Sequence, residues 1–230
     1  MDRRITPASA AQALADPLRF AVLLRLLEGP ATVTHLVGLT GASQPNVSNH
    51  LALLRSHGLV KARRQGRQAE YEIAGPKAAQ AVEALSAFAA GGGRAPRAPA
   101  PLALARTCYD HLAGVLGVAV LDGLVRVGAV TKPERSSGAI RLRGHPKGAL
   151  ERLGVDVDGA LARRRKFAYG CLDWTERRPH LGGSLGASLC SRFFEARWIR
   201  HARGTRAVLL TDDGVRTLRR VLEIPAHRLG

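Results

Sequence analysis

Apolar residues recur at helical spacing from the start of the chain. Between Ile5 and Leu27 the pattern predicts helices, with Asp16-Pro17 as a start signal because aspartate caps a helix and proline suits its first turn. Leu18, Val22, Leu23, Leu26 and Leu27 then form one buried stripe. Gly29-Pro30 ends this helix, and Thr32 is placed to cap a short one with Val33, Leu36, Val37 and Leu39 on its apolar side. Gly41 turns the chain, and Ser43 is placed to cap a further helix that tolerates Pro45 in its first turn. With Val47 inward, a step of ~100° per residue puts Leu51 and Leu54 on the same side. The same rotation sends Pro45, Ser48, Asn49 and Ala52 outward, with Gln44 and Arg55 flanking them. His57-Gly58 closes the helix, and residues 59–64 and 69–73 read as two strands around a tip at Gln65-Gly66-Arg67-Gln68.

Helix, glycine turn, helix with a small amide-rich face, then a basic hairpin is the order of parts in a winged helix-turn-helix reader of DNA. Asn and Gln pair bidentately with adenine, Ser pairs with either base, and small side chains let a helix approach the major groove closely. Ser43, Gln44, Pro45, Ser48, Asn49 and Arg55 are the candidate groove residues, and Lys61, Arg63, Arg64 and Arg67 the cations able to reach phosphates or a minor groove. The run SQPNVSNHLALLRSHGLVKARRQGRQAEYEI resembles the recognition helix and wing of ArsR-type bacterial transcriptional regulators, over roughly the first 90 residues. The resemblance implies a homodimer formed by the first helix and the helix after the wing, about Pro76 to Ala90, on an inverted repeat in promoter DNA. It also implies that Gln44, Pro45, Ser48 and Asn49 face bases. Metal-sensing relatives use a Cys-x-Cys motif before the recognition helix, or Asp and His on the helix after the wing. Here those positions hold Thr34-His35-Leu36-Val37-Gly38 and a stretch from Ala78 to Ala90 with neither Asp nor His, so neither of those sites assembles in the first domain.

Residues 91–101, GGGRAPRAPAP, read as a linker between a domain at 1–90 and a second at 102–230. In the second, HLAGVLG from His111 and HLGGSLG from His180 match at an offset of 69 as H-L-x-G-x-L-G. Apolar helical stretches follow to Val130 and Ile199, then charged turns, apolar segments at Ala139–Leu142 and Ala207–Leu210, and closing helices near Pro146–Leu153 and Asp212–Leu222. The expected fold is therefore mainly α with small β-hairpin wings (α+β): a winged helix-turn-helix domain plus two degenerate winged-helix-like repeats, 102–166 and 170–226. A helix from Val157 to Lys166 and a loop at Gly170 would join them.

Composition fits a globular chain of 230 residues, 46% apolar and 23% charged, with a core mainly of Leu, Val and Ala because aromatics are 4%. The net charge of +17 calls for a polyanion as partner, since cations along phosphates gain affinity by releasing counterions. Residues 1–90 carry 10 cations and 6 anions, whereas 91–230 carry 25 and 12, so the second half also has the charge to lie along DNA or bind an anion. Arg163 to Lys166 reads as a solvated helix face and a candidate phosphate contact. No apolar run approaches the roughly 20 residues a membrane span needs, and MDRRITPASAAQ lacks a signal-peptide core, which predicts a cytoplasmic, nucleoid-associated protein.

Cys108, Cys171 and Cys190 are too few and scattered for a disulfide framework, and Cys190 sits in an apolar helical pattern as a buried thiol. Cys108, Asp110 and His111 precede the first repeat, and Cys171, Asp173, Glu176 and His180 the second. Two readings stand. Thiolate, imidazole and carboxylate could hold an effector or a transition metal such as zinc. Alternatively His111 and His180 begin two closely packed helices, and Asp110 and Asp173 are caps or partners of Arg177 and Arg178. TCYDHLAG and DW-x-ERR-x-HL resemble motifs of a C-terminal extension in an ArsR-like subgroup with no assigned ligand. The sequence predicts a regulator and no enzyme, since it has no G-x-S-x-G elbow, phosphate loop or glycine-rich cofactor turn. An architectural DNA-binding protein without effector, or a fusion to an unrecognised enzyme domain, remains the alternative.

Overall fold

The computed structural model describes residues 5–65, 68–89, 100–143, 148–203 and 205–229. These divide into two compact units, 1–85 with 204–206 and 86–203 with 207–230.

The first unit runs α1 (Pro7–Leu14), α2 (Pro17–Glu28), β1 (Ala31–Thr32), α3 (Val33–Thr40), α4 (Gln44–Ser56), β2 (Val60–Gln65), β3 (Gln68–Ile73) and α5 (Pro76–Ala89), the helix in which the division falls. The expected caps are present at both middle helices. The Arg19 N–H donates to Asp16 Oδ1 at 2.8 Å at the head of α2, and the His35 N–H to Thr32 Oγ1 at 3.2 Å at the head of α3. Ser43 occupies the N-cap of α4 but makes no side-chain capping bond. Gly41 takes φ +68°, which the turn into α4 requires. The predicted stripe is the core: Val22, Leu23, Leu26 and Leu27 of α2 meet Leu36, Val47, Leu51, Leu54, Val60 and Val82. β1, β3 and β2 form an antiparallel sheet in that order, with β2 and β3 paired from Val60↔Ile73 to Gln65↔Gln68. The tip residues Gly66 and Arg67 lie outside the described residues. So do residue 90 and residues 91–99 of the expected linker, and the linker's last two residues instead open a helix, α6 (Ala100–Leu104), with Pro101 in its first turn.

The second unit continues β4 (Arg106–Cys108), β5 (His111–Ala113), α7 (Gly114–Arg126), α8 (Ala149–Arg152), α9 (Val157–Ala162), β6 (Tyr169–Leu172), β7 (Pro179–Gly182), α10 (Gly183–Glu195), β8 (Ile199–His201), β9 (Val208–Leu210), α11 (Asp212–Leu222) and a 3-10 turn at Ala226–Arg228. A strand pair followed at once by a 13-residue helix occurs twice, as β4–β5–α7 and β6–β7–α10. His111 and His180 therefore lie on strands, and the two helices begin three residues later than expected, because the backbone of each histidine is used in a ladder to a cysteine, Cys108↔His111 and Cys171↔His180.

The helices also stop earlier, at Arg126 and Glu195: Val130 is already bridged to Leu142, and Ile199 starts β8. Gly170 lies within β6 and is no loop, and α9 ends at Ala162, so Arg163 to Lys166 is not a helix face. α10, the β8–β9 hairpin and α11 follow the expected order of helix, hairpin, helix. Among the described residues the first copy has only the Val130↔Leu142 bridge where a hairpin was expected. The core gathers Leu116, Val120, Leu124 of α7, Leu185, Leu189, Phe193 of α10 and Leu218, Val221, Leu222 of α11.

Candidate functional site

Two places in the chain gather chemistry, one in each unit. In the first, burial of Val47, Leu51 and Leu54 fixes the rotation of α4. Gln44, Pro45, Asn49, Ala52 and Arg55 are then exposed and Ser48 half-buried, so the predicted groove face is the outer face of this helix, with Ser43 exposed at its head. Lys61, Arg63 and Arg64 are exposed on β2, while Arg67 is outside the described residues. Lys61 Nζ lies 3.2 Å and Arg63 Nη1 4.0 Å from Glu72 Oε1, a carboxylate on the neighbouring strand that tempers two of the wing cations. His35 is exposed on α3 and stands apart from any His/Cys/Asp/Glu cluster among the described residues.

In the second unit the structure brings together four of the six residues proposed for an effector site. One ligand atom each of Cys108, His111, Cys171 and His180 lies within 4.8 Å of the other three, and all but the half-buried Cys171 are buried. The short ladders achieve this, because each places its cysteine directly opposite its histidine. The helices lock the two hairpins crosswise. A Cβ on Gly117 of α7 would stand 2.5 Å from Leu112 O and 3.4 Å from His180 Cβ; one on Gly186 of α10 would stand 2.3 Å from Leu181 O and 3.2 Å from His111 Cβ. Only glycine permits that approach, which brings the imidazole centroids to 5.1 Å.

Asp110 and Asp173 stand behind the rings. Asp110 Oδ1 is 3.1 Å from His111 Nδ1, and Arg165 Nη1 donates to Asp110 Oδ2 at 2.5 Å. Burial raises the Asp110 pKa, but His111 and Arg165 outweigh it and bring it down to about 2. Asp173 is fully buried with Oδ2 3.4 Å from His180 Nδ1. It accepts Arg106 Nη2 at 3.0 Å on both oxygens, the Gly114 N–H at 2.6 Å, the Thr175 Oγ1–H at 2.7 Å and the Glu176 N–H at 3.1 Å. Burial opposes its charge, but the His180 ring and the Arg106 guanidinium hold the carboxyl well below the usual carboxylate range. For His180 burial favours the neutral ring, yet Asp173 and the Cys108 sulfur push it up to about 9, and the same balance with Asp110 and Cys108 raises His111.

Both aspartates thus have arginine partners, but not the expected ones: Arg178 pairs with Asp122 at 2.9 Å, and Arg106 and Arg165 take its place and that of Arg177. Arg106 and Arg165 are the site residues that sequence reasoning missed. The only local hint was a buried-type aspartate that needed a cation. Cys190 sits apart in the α10 core, and burial pushes its thiol up to about 12.

A known family and known proteins are similar to this chain. The family model described as "Bacterial regulatory protein, arsR family" matches residues 16–62, which span α2 through the start of β2. The uncharacterized HTH-type transcriptional regulator YdfF of Bacillus subtilis is 34% identical over 222 residues, covering 90% of this chain and 92% of the relative. The Biofilm growth-associated repressor of Xylella fastidiosa is 37% identical over 78 residues, 34% of this chain and 68% of that one. A crystal structure of the transcriptional repressor BigR from Xylella fastidiosa aligns at 36% identity with a TM-score of 0.33, over 35% of this chain and 83% of that chain.

Proposed function

The chain belongs to the HTH-type transcriptional regulators, with an arsR-family DNA-binding helix-turn-helix in its N-terminal unit, and from that premise we propose a dimeric repressor that reads an inverted repeat in promoter DNA. The observation that carries this reading is the outer face of α4, where Gln44, Pro45, Ser48 and Asn49 are set by the buried Val47, Leu51 and Leu54 to enter a major groove. Ser43 and Arg55 border that face, and Lys61, Arg63, Arg64 and Arg67 of the wing hold the phosphates. Repression is supported by the name of the Xylella fastidiosa relative that matches 34% of this chain.

Dimerisation is supported by α5. Its inner face, Ala78, Ala79 and Val82, is in the core, while Leu85 is 42% and Phe88 85% exposed, an apolar strip that a second copy would cover. In this reading residues 1–90 bind DNA and dimerise, the chain up to α6 links, and the chain from Ala100 onward forms a signal-receiving domain from two related halves, 102–166 and 170–226, each a strand pair that leads into a core helix. The relative that spans 90% of this chain shares the length of that second domain. A transition metal at Cys108, His111, Cys171 and His180 is the signal class the second domain's chemistry favours, with Asp110 and Asp173 behind the ligands, and no catalytic role is assigned to it. Among the described residues no helix is long and apolar enough to cross a membrane, and the protein would act on DNA in the cytoplasm.

The test compares two pairs of substitutions in binding titrations. Ser48→Ala with Asn49→Ala relaxes sequence preference by about 1–3 kcal/mol per lost base contact, whereas Arg64→Ala with Arg67→Ala weakens binding to every duplex. The reverse pattern contradicts the assigned roles of helix and wing.

A further inference from the structure

Packing does not account for four features of the Cys/His cluster. His111 Nε2 and His180 Nε2 are buried without a nitrogen or oxygen partner among the described residues, although a buried imidazole nitrogen left so is costly. Each ring has a carboxylate at its Nδ1 side: Asp110 is in hydrogen-bond contact with His111 Nδ1 at 3.1 Å, and Asp173 lies 3.4 Å from His180 Nδ1 without a formed hydrogen bond, a placement that leaves each Nε2 to a metal. No cysteine is in a disulfide, although two of them lie in this cluster. Finally, the four ligand atoms are within 4.8 Å of one another, while tetrahedral bonds of about 2.0–2.3 Å put ligand atoms about 3.3–3.8 Å apart, so contraction by an ångström or so completes the shell.

We propose that Cys108, His111, Cys171 and His180 close around a single divalent ion of the zinc class as a tetrahedral S2N2 centre, with Asp110 and Asp173 as positioning residues for the two imidazoles. Two sulfurs disfavour magnesium and calcium, which take oxygen ligands. Two thiolates and two neutral imidazoles cancel a 2+ charge, and the carboxylates behind them are already matched by Arg165 and Arg106, so the buried ion leaves no net charge. Binding displaces the thiol protons and any imidazolium protons to solvent. All four positions are protein side chains, so the centre is closed to substrate and acts as a staple. It ties β4–β5 to β6–β7 at the point where α7 and α10 leave them, and its occupancy governs how firmly the two hairpins hold together. The regulatory consequence, that occupancy changes DNA affinity, rests on the reading of the second unit as the signal-receiving domain.

The full chain is loaded with Zn2+ alone, dialysed against metal-free buffer and analysed for metal. A Co2+-substituted sample then reports sulfur ligation by its thiolate-to-cobalt absorption. We expect one zinc per chain, a two-thiolate cobalt spectrum, and unchanged loading in Cys190→Ser. Cys108→Ser and Cys171→Ser lose more affinity than the about 10–100-fold that an outer ligand partner supplies. Asp110→Asn, at the partly exposed edge, loses about 10–100-fold while keeping the two-thiolate spectrum, and it remains decisive where a cysteine variant fails to fold. Chain that stays metal-free, full loading of the Cys108→Ser/Cys171→Ser double variant, or an unchanged affinity in Asp110→Asn overturns the site. DNA affinity measured on the same loaded and stripped samples separates the two claims: zinc bound with DNA affinity unmoved leaves the centre standing and refutes its signalling role.

Discussion

Removing the Asp173 carboxylate is expected to be among the most damaging single changes in the second unit. The side chains of Asp173 and Arg106 are 0% and 1% exposed, and the guanidinium reaches both carboxylate oxygens at 3.0 Å. Asp173→Ala leaves Arg106 charged and buried with, among the described residues, Leu102 O and Thr175 Oγ1 as its remaining acceptors, and it also strips the Gly114 N–H at the head of α7. Breaking a buried ion pair from one side costs about 3–5 kcal/mol. That is about a fifth or more of the ~5–15 kcal/mol that holds a typical domain together. Replacing both partners, as Asp173→Leu with Arg106→Met, removes the stranded charge, so the double variant should sit within about 2 kcal/mol of the parent, the residue being the lost contact to α7. Urea unfolding in the presence of chelator, followed by tryptophan emission, measures this, because both tryptophans of the chain, Trp174 and Trp198, lie in the second unit. Single variants that each cost under about 1 kcal/mol, or a double that costs their sum, would refute the reasoning.

Other expectations are as direct. Phe88→Asp should weaken self-association by about 100- to 10,000-fold in sedimentation equilibrium, from ~1.5–3 kcal/mol of apolar burial lost on each of two protomers, and an unchanged dimer would remove α5 from the interface. Gly117→Ala should destabilise the second unit by more than about 1 kcal/mol, since its Cβ would meet Leu112 O at 2.5 Å. Gly38→Ala in α3 has nothing within 4 Å and should stabilise the first unit by about 0.5–1 kcal/mol; equal effects in thermal melts would count against both assignments. Cys190, buried with its thiol pushed up to about 12, should react with a disulfide reagent at pH 8 only after unfolding, and prompt labelling in the folded chain would contradict its burial.

The first unit was legible because its helices are long enough to carry a period. Thirteen residues of α4 hold Val47, Leu51 and Leu54 on one side, and the outer face follows by rotation. In the second unit the candidate ligands were legible as chemistry but not as geometry. Cys108, His111, Cys171 and His180 stood out in repeated motifs, yet three-residue strands such as β4 and β5 are too short to show alternation, so the histidines read as helix starts. The Asp173–Arg106 pair joins residues 67 positions apart, and no local pattern encodes such a contact. Pro101 shows the limit of composition, since in a run of glycine and proline it marks the first turn of α6.

Sequence-specific DNA binding by the outer face of α4 is the central expectation for this protein. Fluorescence anisotropy of the full chain on a duplex from its own upstream region and on a scrambled duplex, each at two salt concentrations, tests it. A preference of about 1,000-fold or more that persists as both affinities fall with salt is expected. Equal affinities that fall together would mean that the +17 charge binds any duplex and that no sequence is read.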